Sequence, residues 1–181
     1  FFLGKDKAKI TFLEFYDDYL KELQAQVGTI KAKATYHKYS GTKRHFENFL
    51  RYKVILPVSN GSGAIGETLS TPLIGEPLIG EPLIGHTDTF LSIGNFKTKF
   101  EADACIKFIK TKFARVLLGV LKVTQHNSRK TWYYVPLQDF TVNSNIDWTQ
   151  SVADIDRQLY QKYDLSPEEI AFIETHVREM D

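Results

Sequence analysis

The chain has 181 residues, 43% hydrophobic and 25% charged, the balance of one globular domain or two small ones. It contains no run of about eighteen uninterrupted apolar residues, which argues against a membrane-spanning helix, and no basic-then-apolar leader follows Phe1. The single cysteine, Cys105, excludes a disulfide within the chain and fits a reducing, cytoplasmic setting.

The net charge of +1 conceals four blocks. Residues 1–53 are net +5, 54–96 carry four acids and no Lys or Arg, 97–130 are +7, and 131–181 are −7. A basic centre of this kind presents a local field to a polyanion. An acidic tail folded back onto it would cancel that field, so both outcomes follow from the same pattern.

Residues 1–53 read as two helices. Thr11 followed by Glu14 is a capping box, with Ile10 and Phe15 placed as a hydrophobic staple. Phe12, Phe15, Tyr16, Tyr19, Leu20 and Leu23 recur at helical spacing, and Gly28 ends the run. A second helix is expected from Ala34 to Tyr52, with Tyr36, Tyr39, Phe46, Phe49 and Leu50 on its apolar side and Lys43 and Arg44 among its basic positions.

Val54–Val58 suggests a strand. Gly61, Gly63 and Gly66 then fit G-x-G-x-x-G, but a dinucleotide site needs a helix opening at that turn, and Pro72 follows too soon for one. A loop is the better reading. The five-residue unit Pro-Leu-Ile-Gly-Glu starts at Pro72, Pro77 and Pro82, with His86 replacing the last glutamate. That period suits neither helix nor strand, so the repeat is expected to lengthen a loop at 72–86. Thr89–Gly94 alternates like a strand with one buried face.

One long helix is predicted from Thr98, with Ala102, Cys105, Ile106, Ile109, Phe113, Val116, Leu117, Val120 and Leu121 as a continuous apolar stripe. Cys105 lies on that stripe and reads as core. Lys107, Lys110, Lys112, Arg115 and Lys122 lie beside it. The polar loop 124–130 carries Gln125, His126, Arg129 and Lys130, residue types that read base edges or hold phosphates. An aromatic strand is expected from Trp132, which would put Trp132 and Tyr134 on one face, either in the core or stacking on bases. Ser151 with Asp154, and Ser166-Pro167-Glu168-Glu169, announce two closing helices.

Two resemblances emerge from these stretches. TFLEFYDDYLKELQAQVG and ATYHKYSGTKRHFENFLRYK resemble the start of the core-binding (SAM-like) domain of tyrosine recombinases, especially integrases of the Bacteroides type. That family clamps DNA with a small helical bundle and follows it with a catalytic domain. The match covers about fifty residues and stops near Lys53. From about Val54 to Asp181 the chain is similar to the carboxy-terminal, target-recognition part of adenine-specific DNA methyltransferases of bacterial restriction–modification systems. STPLIGEPLIG, TFLSIGNF, KTKFARVLLGVLKVTQ, TWYYVPLQDFT and DIDRQLYQKYDLSPEEIAFIE carry it, in that order. The resemblance implies that this region reads a DNA target while a separate domain binds S-adenosylmethionine and transfers the methyl group.

Catalytic patterns are not found in these residues. The Asn/Asp-Pro-Pro-aromatic motif that holds a target adenine would need adjacent prolines, and the six prolines are all isolated. His126-x-x-Arg129 with Tyr133 imitates a fragment of the recombinase set, but the tyrosine is far too close in sequence for that arrangement. The five histidines show no metal-ligand spacing. The expectation is therefore an α+β protein: a helical pair over 1–53 joined to a small mixed domain over 54–181 with a few strands and about four helices. Its expected partner is double-stranded DNA, with a methyltransferase catalytic domain or subunit as a second. No cofactor is expected in this chain. The predicted contacts are Lys107, Lys110, Lys112, Arg115, Lys122, Gln125, His126, Arg129, Lys130 and Trp132, with Lys43 and Arg44 from the first helices. The alternatives are a DNA-binding recombinase fragment, an enzyme that is either a complete methyltransferase or a recombinase working with a partner chain, and a protein-interaction domain whose basic segment is neutralised by its own acidic tail.

Overall fold

The computed structural model describes residues 12–29, 32–59, 74–122 and 126–180, without the side chains of Phe12 and Arg44. The fold is α+β: among the described residues there are six α-helices and one three-stranded antiparallel sheet. The chain divides into two compact units, Phe1–Leu50 and Arg51–Asp181. Thr11 and Ile10 of the expected capping box and staple, and the glycine-rich stretch at 61–66, lie outside the described residues.

The first unit is the helical pair α1 (Phe12–Ala25) and α2 (Lys33–Phe49). Leu20 and Leu23 are its buried hydrophobics. Around them tyrosines do the packing: Tyr19 meets Tyr39 edge-on at 5.5 Å, and Tyr16 lies 6.4 Å from Phe46 while its hydroxyl donates to the Tyr39 carbonyl at 3.2 Å. Tyrosine suits so thin an interface because its ring buries area while its hydroxyl stays hydrogen-bonded.

In the second unit β1 (Tyr52–Pro57) is the central strand, flanked by β2 (Leu78–Gly80) and β3 (Phe90–Phe96). Val54, Ile55 and Leu56 are all buried, as expected of an uninterrupted apolar run on a strand covered on both faces. The central position also buries Lys53, whose ammonium donates to the carbonyls of Arg51 and Glu81 at 3.1 and 3.3 Å.

The repeat at 72–86 does more than lengthen a loop. Its second copy supplies β2, with Leu78, Ile79 and Gly80 paired to Ile55, Val54 and Lys53. Ile74 of the first copy enters the core, whereas Leu83 and Ile84 of the third are exposed. Pro77 precedes the short edge strand, where a missing N–H does least harm. At Gly80 a Cβ would meet the Lys53 and Ile55 side chains at 2.7 Å, so the repeat's glycine is what lets this strand approach β1.

The predicted long helix is two helices. α3 (Lys99–Lys110) is capped by Thr98 and α4 (Lys112–Leu121) by Thr111, whose extended ψ of 148° interrupts the ladder. The break is sealed from elsewhere in the sequence. Asp156 accepts the amides of Lys112 and Phe113, each at 2.9 Å, and Arg115 donates to the carbonyls of Lys110 and Arg178. These partners satisfy the orphan groups that two abutting helix ends leave. Asp156 belongs to α5 (Val152–Lys162), and α6 (Pro167–His176) follows with the Ser166–Glu169 capping box formed in both directions. Both helices begin at the serines the sequence marks.

The core joins β1, α3, α4, α5 and α6, with Phe108, Phe140 and Trp148 clustered at ring-centroid distances of 5.2–6.2 Å. The expected strand from Trp132 is absent. A 3₁₀ turn at Arg129–Trp132 stands there instead, followed by irregular chain through Phe140. Trp132 is consequently half-buried while Tyr134 is 52% exposed, so the two do not share a face.

Candidate nucleic-acid interface

The predicted cations divide into two groups. Those on α3 and α4 are held by the protein itself. Lys107 spans from α3 to the turn before α5, its ammonium donating to three successive carbonyls, Trp148, Thr149 and Gln150, at 3.0, 3.1 and 2.8 Å. Lys110 pairs with Glu76 at 2.9 Å, and Lys112 pairs with Glu174 at 2.5 Å and Glu179 at 3.9 Å. Arg115 is 1% exposed, with its guanidinium spent on the helix break. These four side chains form internal links, Lys107 and Arg115 to backbone carbonyls and Lys110 and Lys112 to carboxylates. Lys122 closes α4 at intermediate exposure.

Burial acts on Asp156 and Glu174 with opposite net outcomes. It raises the Asp156 carboxyl to about 6, against the two amide hydrogen bonds it accepts. For Glu174 burial also pushes upward, but the hydrogen bonds from Lys112 and from the Tyr160 hydroxyl at 2.9 Å outweigh it and hold the group below its ordinary value. Cys105, 1% exposed on α3, has its thiol raised to about 12 by burial alone, which keeps it protonated and unreactive.

The second group lies in the segment after α4. Gln125 is outside the described residues. The chain from His126 is tied to the end of β1 by a bridge between Ser59 and His126 and by the Asn127 amide, which donates to the Val58 carbonyl at 2.6 Å. Thr131 then closes the 3₁₀ turn on the Ser128 carbonyl through both its amide and its hydroxyl. This anchored turn presents His126, Arg129 and Lys130 at the surface. The side chains of Arg129 and Lys130 have no ion-pair or hydrogen-bond partner among the described residues. Directly after them Tyr133 and Tyr134, 78% and 52% exposed, meet edge-on at 5.3 Å. These two aromatics, together with the neighbouring Leu137 at 94% exposure, belong to the site. The expected strand assigned the stacking role to Trp132 and Tyr134, whereas the turn exposes Tyr133 most.

Beneath the turn a cleft of about 520 Å³ runs between β3, α3 and residues 127–140. Ile93, Cys105, Phe108 and Phe140 form apolar parts of its wall, and Asn127, Arg129 and Trp132 line it from the turn. On the first unit, Lys43 is paired with Asp17 at 2.5 Å and Glu47 at 3.2 Å, and the Arg44 side chain is outside the described residues. Among the described residues no group of His, Cys, Asp and Glu is arranged to hold a metal ion, and no helix is long and apolar enough to cross a membrane.

No family model, curated protein or solved structure matches the chain.

Proposed function

We propose that this chain is a DNA-binding module that contacts double-stranded DNA through the anchored turn at 126–134. The observation that carries the reading is the pairing, on one short rigid segment, of two exposed cations without partners, Arg129 and Lys130, with the exposed rings of Tyr133 and Tyr134. Cations supply affinity for phosphate, and aromatic faces and polar side chains supply contacts to bases. The more specific assignment rests on the ordered resemblance of residues 54–181. It makes the module the target-recognition part of a restriction–modification adenine methyltransferase, with S-adenosylmethionine bound by a separate catalytic domain. Titration of a labelled duplex from 50 to 200 mM salt tests the reading. Two phosphate contacts predict an affinity that falls about tenfold over that range, and affinity independent of salt overturns it.

One observation favours a second reading. Glu76 neutralises Lys110, and Glu174 and Glu179 neutralise Lys112, as expected of a protein-interaction domain whose charges serve its own packing. Removing the acidic tail is a poor test of that reading, because Ile155, Leu159, Ile173 and Val177 are core. The double variant Glu174→Gln/Glu179→Gln frees Lys112 without removing apolar surface. A gain of DNA binding in that variant from none in the parent supports the second reading over the first.

A further inference from the structure

We infer that the cleft beneath the 126–134 turn receives an unstacked nucleobase, an inference that rests on the DNA-binding reading. The chemistry of the wall selects the ligand. Asn127 is 2% exposed; its Oδ1 finds no hydrogen-bond partner among the described residues, although its Nδ2 reaches the Pro57 carbonyl at 3.5 Å. The indole Nε1 of Trp132 is likewise buried and unpartnered there. Both residues line the same cleft, and the rest of its wall is largely apolar, Ile93, Phe108, Val135 and Phe140 among it.

Buried polar atoms without partners cost about 1–3 kcal/mol each, so a wholly apolar occupant would leave both penalties standing. The occupant that removes them is flat, apolar on its faces, and carries a donor for Oδ1 beside an acceptor for the indole N–H. The Watson–Crick edge of a nucleobase has that pattern, and enzymes that take bases out of a duplex hold them by such edges between apolar walls. Arg129 lines the same cleft and carries a guanidinium suited to the phosphate of the same nucleotide. At about 520 Å³ the cleft is within the size range of small-ligand sites.

The test compares three duplexes of one sequence, titrated against the full chain: fully paired, with one unpaired nucleotide, and with that nucleotide abasic. The base-bearing bulge is expected to bind at least about tenfold more tightly than the abasic one. Asn127→Leu and Trp132→Phe are each expected to abolish the preference for the base-bearing bulge over the abasic one. A thermal melt checks that each variant is folded, and should Asn127→Leu fail to fold, Trp132→Phe decides alone. Equal affinity for the two bulges, or a preference kept in the folded variants, overturns the nucleobase site while leaving the DNA-binding reading in place. Failure to bind any of the three duplexes overturns both.

Discussion

Replacing Lys107 with methionine separates a structural lysine from a phosphate-binding one. The ammonium donates to three consecutive carbonyls in the turn ahead of α5, joining α3 to a segment more than forty residues further on. Methionine keeps most of the apolar stem and deletes the charge. A hydrogen bond to a charged donor contributes about 1.5–3 kcal/mol. Here three acceptors share one ammonium on a half-exposed side chain, and water reaches them once it is gone, so the set is taken as about 2 kcal/mol. Both tryptophans, Trp132 and Trp148, lie in the second unit, so tryptophan fluorescence during urea unfolding reports on that unit. With an m-value of about 2 kcal/mol per molar, the midpoint falls by about 1 M. DNA affinity of the folded variant stays as in the parent. A shift under about 0.2 M, or a loss of DNA affinity at unchanged stability, would refute the assignment of Lys107 to the fold.

Two other perturbations probe the same architecture. Asp156, 3% exposed and raised by burial to about 6, favours its protonated form when folded, so its contribution to stability is present below its unfolded value near 3.8 and is lost as pH rises through 6. Asp156→Asn has no such dependence, and its destabilisation, measured by urea unfolding, should be about 2 kcal/mol larger at pH 4.5 than at pH 7.5. Equal penalties at the two pH values would contradict the burial argument. Gly94 has φ +87°, and a Cβ there would strike the Phe96 ring, which packs edge-on against Phe140. Gly94→Ala should cost about 2–3 kcal/mol in the same assay, roughly 1 for the left-handed backbone and the rest for the displaced ring. A neutral substitution would mean that Phe96 moves aside freely.

What the sequence made legible was what local chemistry decides. Thr98, Ser151 and Ser166 start the helices they were expected to start, because a cap needs only its own side chain and the next few amides. The apolar run at 54–56 likewise marks the central strand. The break at Thr111 was hidden because the apolar stripe continues in phase across it, while the groups that seal it, Asp156 and the Arg178 carbonyl, come from the far end of the chain. Aromatic composition suggested a strand at 132–141, yet the Ser128–Thr131 bonds and the tether to Val58 fold the start of that region into a turn. Charge counting found the basic block and raised the acidic tail as what could cancel it, but not which carboxylates meet which lysines. Lys110 and Lys112 are paired with Glu76 and Glu174, partners that no spacing rule connects to them. The candidate surface therefore contracts from the helices to the turn that follows them.

The most direct measurement of that contraction is the salt dependence of duplex binding in the double variant Arg129→Ala/Lys130→Ala. Each phosphate contact contributes about 0.9 to the slope of log affinity against log salt, so the slope should shrink by about 2. Lys112→Met should leave it unchanged, since Lys112 answers to Glu174. An unaltered slope in the double variant, or an equal loss in Lys112→Met, would contradict the account.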